Sequence, residues 1–173
     1  MNHGARIVVL SVASAVGYGV VHDQVTAHLC VEYFTVGHPL LIPTSNPTVL
    51  ALWWGAAATW WVGLALGIPL AVSARGRSPA LTASDLARPI MTLLAVAGLA
   101  AFLAGSIGYV LASRGVLRLE PWLASRIPPA HHVTFIADWW AHITSYLVAM
   151  CGGAFLVWSV KRGRILHRQS AVV

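Results

Sequence analysis

Charge is what this chain has least of. Only 9% of its 173 residues are Asp, Glu, Lys or Arg, against about 25% in a soluble domain. Only five are carboxylates. With a mean hydropathy of +0.74 and several long apolar runs, this shortage excludes an ordinary water-soluble globule and makes lipid the expected solvent for most of the chain. Cysteine is scarce too: Cys30 and Cys151 are too few for a disulfide framework. They are expected near one helix end and well inside another helix, so each reads as a small buried hydrophobe. The basic residues form no continuous face. The formal charge of +6 sits just outside the apolar runs, which argues against nucleic acid and leaves the bilayer as the expected partner.

What is present is a set of four apolar spans in one domain covering residues 1–173, at about 7–34, 48–74, 88–112 and 133–160. The fold class expected is all-α, an integral membrane four-helix bundle. The first span follows Arg6 and carries Ser11, Ala15 and Gly19 four apart, a stripe that admits a neighbouring helix in lipid. Arg6, the apolar centre and Ala13-Ser14-Ala15 also fit a cleaved signal peptide. The helical pattern, however, continues without a break through Asp23–Phe34, which favours a retained span.

The second span is entered through Pro43-Thr44-Ser45-Asn46-Pro47 and carries paired tryptophans seven apart, a Gly63/Gly67 contact and Pro69, where a kink is expected. Ser84 is a candidate cap for the third span, whose Ala97, Ala101 and Gly105 form another small-residue stripe. These stripes suit packing between helices of the bundle, and alternatively against a partner or a second copy. Residues 113–130 mix Leu117, Leu119, Trp122, Leu123 and Ile127 with Arg114, Arg118 and Arg126, as a short interfacial helix would.

Charge sets the orientation. Arg6, Arg75, Arg77, Arg88, Lys161, Arg162, Arg164 and Arg168 flank one end of the spans, and only Arg114, Arg118 and Arg126 flank the other. Eight against three places both termini in the cytoplasm. For a bacterial inner membrane, the other end faces the periplasm.

That outer end collects the groups capable of chemistry. His22–Pro39 holds three of the eight histidines and two of the five carboxylates. A smaller cluster, His131, His132, Asp138 and His142, opens the last span. If the first helix continues to Phe34, about 100° per residue places His22, His28 and Glu32 on one arc. Asp138 and His142, four apart, share a face with His131. Spans one and four are expected to be neighbours, which would bring the clusters together.

A buried carboxylate in a span requires a partner. Imidazoles and carboxylates without converging thiolates suit Zn²⁺, Fe²⁺, Mn²⁺ or Cu²⁺. His28, Glu32, Asp138 and His142 are the leading candidate metal ligands. His22, His38 and His131 are candidates to complete the set, and Asp23 is a candidate to orient a ligand from behind. Haem is the weaker reading, because the histidines crowd one end among carboxylates that haem ligation does not need. The expected function is a membrane protein with a His/carboxylate metal site at its periplasmic end, and in its enzymatic form it acts on a lipid-soluble substrate. The alternatives are a non-catalytic membrane subunit and a proton-coupled protein, the latter weakened by the lack of an evident broken helix or repeat.

At HDQVTAHLCVEYFTVGHP the chain resembles small four-span inner-membrane proteins of bacteria, a resemblance that implies fold and location but no activity. The polar layout more faintly resembles integral-membrane desaturases and hydroxylases, although His131-His132 lacks the preceding spaced histidine of their HxxHH boxes.

Overall fold

A computed structural model describes residues 2–39, 41–76 and 79–163. Arg77, Arg164 and Arg168, counted in the charge asymmetry, lie outside the described residues. The chain is an all-α four-helix bundle, and among the described residues no strand occurs. Four helical stretches are long and apolar enough to cross a membrane. The elements are α1 (His3–Leu29), α2 (Val31–Thr35), α3 (Pro47–Ala57), α4 (Trp60–Arg75), α5 (Ala83–Ser113), α6 (Pro121–Ala124), a 3₁₀ turn (Pro129–His131) and α7 (His132–Lys161). Helices α3 and α4 together make the second long stretch.

Small residues decide which helices meet. A Cβ placed on Gly55 would lie 2.5 Å from the Val20 backbone nitrogen, and one on Gly63 would lie 2.7 Å from the Val12 Cα. Span two and α1 are therefore in backbone contact. On the other side, Gly105 faces Ala137 and Ala141, and Gly108 faces Trp140, which seats α5 against α7. The stripes thus receive helices of this same chain. Further contacts join α1 to α5 and α4 to α7. Around the bundle the order is span one, two, four, three. Spans one and four, expected to be neighbours, instead face each other across the diagonal, because the glycine seams pair them with spans two and three.

Local departures have local causes. Helix α1 starts earlier than expected, where the Asn2 side chain accepts from the Ala5 N–H at 2.8 Å. It stops at Leu29, because Cys30 is extended at φ −152°, ψ 92°. The expected continuous helix to Phe34 is therefore two helices. Burial drives the break: Cys30 packs with Leu123, Ile127 and Phe135, while Phe34 packs with Ala27, Leu50 and Ala51.

Span two, expected to be unbroken as far as Pro69, breaks at Ala58–Thr59 instead and runs helical through Pro69. There the Thr59 hydroxyl donates to the Gly55 carbonyl, and the Thr59 N–H slips to Ala56 at 3.4 Å. The cap of α5 is Thr82, not Ser84, in a capping box with Asp85. Between spans three and four, α6 is a single turn; Leu123 turns inward while Trp122 stays exposed.

The end that holds the start of α1 and the end of α7, the inner end in the expected orientation, closes around Ile7, Leu70, Leu86 and Val160. The other end of the same bundle closes around the polar residues.

Candidate metal centre

Three side chains from the diagonal pair of spans converge: His22 and Asp23 from α1, and His142 from α7, with one ligand atom of each within 4.8 Å of the others. Asp23 and His142 are buried. The gap between diagonal helices is filled by rings. Tyr33 of α2 stacks on His142 with centroids 4.3 Å apart, Phe34 meets the same ring edge-on at 5.7 Å, and Tyr18 stacks under His22 at 5.7 Å. The break at Cys30 makes this possible, since it returns α2 across the bundle end.

The hydrogen bonds define the chemistry. His142 Nδ1 lies 2.8 Å from the Asp138 backbone carbonyl, which only accepts, so Nδ1 carries the proton. In the neutral ring Nε2 is then a bare acceptor, yet it lies 3.3 Å from Asp23 Oδ1, another acceptor. The contact therefore needs either a proton, carried by the imidazole or by the Asp23 carboxyl, or a metal ion between the two atoms. A tetrahedral centre with bonds of about 2.1 Å separates its ligand atoms by about 3.4 Å, close to the 3.3 Å between His142 and Asp23, while His22 falls within the wider 4.8 Å of the group. His22 Nε2 and both Asp138 carboxylate oxygens are buried without any hydrogen-bond partner. Asp138 lies one turn before His142 on α7, near enough to Asp23 for their charges to interact. Buried polar atoms are rarely left unpaired, and here three belong to metal-ligating residue types around one cluster.

The other sequence candidates lie apart from this cluster. His28 is held by the Gln24 carbonyl at 2.7 Å and faces Thr48 on α3 at 3.4 Å, because its position on α1 points away from the bundle axis. Glu32, turned by the Cys30 break, meets His131 of the 3₁₀ turn at 2.7 Å. Burial raises the Glu32 carboxyl, but hydrogen bonds from backbone, His131 and Cys30 outweigh it and hold it below the ordinary range. His38 donates Nδ1 to the Tyr33 carbonyl at 2.8 Å and packs between Phe34 and Trp54. Burial lowers its imidazole below the usual value, so it is neutral at pH 7. His132 donates to the Ile127 carbonyl at 2.9 Å. Cys30 stays a thiol, pushed up to about 12 by burial, and thiols are poor metal ligands.

Asp23, expected behind the ligands, stands among them. The tyrosines were missed. Tyr18 precedes His22 by four residues and Tyr146 follows His142 by four, a same-face spacing that carries the signal. Haem fits poorly, because the His22 and His142 rings touch edge-to-face at 4.6 Å with no room for a macrocycle between them.

Below the cluster, a cavity of about 80 Å³ runs inward between α1, α4, α5 and α7, from His22 and His142 past Tyr18, Leu66 and Leu94 towards Ile90. A group of two imidazoles and one carboxylate at the end of a cavity could hold a metal ion. Among known proteins, no family, no curated sequence and no solved structure matches the chain. The candidate centre therefore rests on these residues alone.

Proposed function

We propose that this chain is an integral membrane protein that holds a divalent transition metal at His22, Asp23 and His142, at its periplasmic end, and uses it on a substrate supplied from the membrane. The observation that carries this reading is the convergence of ligand atoms of His22, Asp23 and His142 within 4.8 Å, with the His142 Nε2 lone pair turned to Asp23 Oδ1 at 3.3 Å. Two imidazoles and one carboxylate suit Fe²⁺, Zn²⁺, Mn²⁺ or Cu²⁺, and such a set leaves positions open for substrate. When bound, the metal supplies Lewis-acid or oxygen-activating chemistry.

The chain's own residues do the rest. The Asp138 carbonyl fixes the His142 tautomer, Tyr33 and Phe34 hold its ring and exclude water, and the unpaired Asp138 carboxylate is placed to hold a proton. The membrane setting is supported by the four long apolar stretches. The periplasmic assignment is supported by the arginine asymmetry.

Elemental analysis of purified protein tests the centre. The expected result is one metal per chain, lost in His22→Ala and His142→Ala and retained in His28→Ala. A content well below one that is unchanged by His142→Ala removes the reading. A proton is the second occupant the same contact allows, with an imidazolium donating to Asp23 or a protonated Asp23 donating to the imidazole. That reading is favoured if metal is absent while Asp23→Asn shifts the His142 ring nitrogen resonances in NMR spectra.

A further inference from the structure

The cavity below the cluster is too small for a lipid chain and poorly suited to water. Its volume of about 80 Å³ exceeds the roughly 10–15 Å³ that one water needs, but is about half that of an apolar cavity that admits benzene. Water in such a space needs two or more polar partners, and most of the hydroxyls facing it are already bonded within the protein. Ser11 donates to the Ile7 carbonyl at 2.9 Å. Tyr18 and Ser145 bond each other at 2.8 Å. Thr59 is spent on the Gly55 carbonyl, and Tyr146 on the Ala58 carbonyl at 3.2 Å. The remaining walls are largely aliphatic, with Val62, Leu66, Leu93 and Ala149 among them. Ser14 adds one further hydroxyl partway along the wall, and at the outer end His22 Nε2, without a partner, stands beside the space.

We infer that this cavity is a dry pocket for a small apolar molecule of about two to four heavy atoms, and that its occupant is dioxygen, delivered from the surrounding lipid to the His22–Asp23–His142 cluster. The inference rests on the metal reading for what the cluster does with the molecule. The pocket itself stands on size, wall chemistry and spent hydroxyls. Dioxygen is the small apolar molecule that a two-imidazole, one-carboxylate metal set is suited to receive. The kinked middle of span two contributes here: the carbonyls around Ala58 and Gly55 are capped by Tyr146 and Thr59, so an irregular backbone borders the cavity without offering water a foothold.

Xenon, an inert probe of similar polarity, tests the pocket in protein reconstituted into nanodiscs. The ¹²⁹Xe signal is expected to show a saturable site absent from empty nanodiscs and lost in Ala149→Leu and Leu66→Phe, with helicity by circular dichroism confirming that each variant folds. Dissolved dioxygen, being paramagnetic, is expected to broaden the Tyr18 ring resonances in wild type and several-fold less in whichever variant stays folded. No saturable xenon site in wild type, or equal xenon and dioxygen responses in folded wild type and filled variants, overturns the inference. So does a water-to-Tyr18 cross-peak showing that the space is wet. Metal content measured on the same samples separates the two claims: xenon binding without metal sinks the metal reading alone, and metal without a xenon site sinks the pocket alone.

Discussion

The two ends of this bundle solve the same packing problem with opposite chemistry. At the inner end, Ile7, Leu86 and Val160 are wholly buried among Leu70, Ala71 and Ala74, and the principal polar device is the Thr82–Asp85 capping box at the start of α5. At the outer end, Asp23, Asp138 and His142 are buried among aromatic rings, and three polar atoms of His22 and Asp138 have no partner. Four helices need no buried carboxylate in order to close, as the inner end demonstrates. The outer arrangement lowers stability unless something binds, and that cost is what supports proposing a site at this end.

The sharpest way to separate the ends is to damage each in turn. Leu86→Ala at the inner end is expected to cost about 2–5 kcal/mol, read as a lowered thermal midpoint in detergent, while metal content stays at the wild-type level. If metal is lost along with stability, the two ends are not independent and the comparison fails. Next in size is the ion itself. At 100 times its dissociation constant a ligand specific for the native state stabilises by about 2.7 kcal/mol. A chelator should therefore lower the midpoint of wild-type protein and of Leu86→Ala alike, and leave His142→Ala unmoved.

Asp138→Leu sharpens the comparison by reversing its sign. In metal-free protein it removes two unpaired buried oxygens and is expected to stabilise by about 1–3 kcal/mol, making the outer end resemble the inner. In metal-loaded protein the same change is expected to weaken metal retention in a chelator titration. Destabilisation of the metal-free protein would mean that Asp138 already has a partner and that the outer end is not under the strain described.

The inner end was largely legible in the sequence because it follows from composition. Apolar runs of membrane-spanning length and an arginine asymmetry suffice to bring Ile7 and Val160 to one end, while Leu86 lay in the connection before the third span, which begins at Ala83 instead of about residue 88. The outer end was legible only as a set of residue types. His22 and His142 were among the candidates, but the arc that joined His22 to His28 and Glu32 assumed a helix through Cys30. Nothing in Leu29-Cys30-Val31 breaks a helix by propensity; the break comes from burying Cys30 and Phe34 against different partners, a tertiary effect that periodicity does not carry. The diagonal placement of spans one and four had the same origin. Gly55, Gly63, Gly105 and Gly108 were visible as small residues, but not which helix each would admit. Asp23 was set aside because it lies about 100° from His22 on a helical wheel; across a diagonal, with His142 reaching in from the far side, both become available at once.

The smallest expected effect concerns the pair displaced from the centre. Glu32 and His131 join α2 to the start of α7 at 2.7 Å, with the histidine side chain 47% exposed, so the contact is worth about 0.2–1 kcal/mol. Because the folded-state carboxyl lies below its ordinary value of 4.5, this contribution is fully present above that value and is lost as pH falls through the lowered one. Glu32→Gln should therefore flatten the acid limb of a plot of thermal midpoint against pH, and His131→Gln should flatten it less, since the backbone and Cys30 hydrogen bonds to the carboxylate remain. Neither change should alter metal content, because neither side chain reaches the His22–Asp23–His142 cluster. If Glu32→Gln strips the metal instead, the carboxylate swings inward when the ion binds, and the boundary between the centre and its latch has to be redrawn to include it.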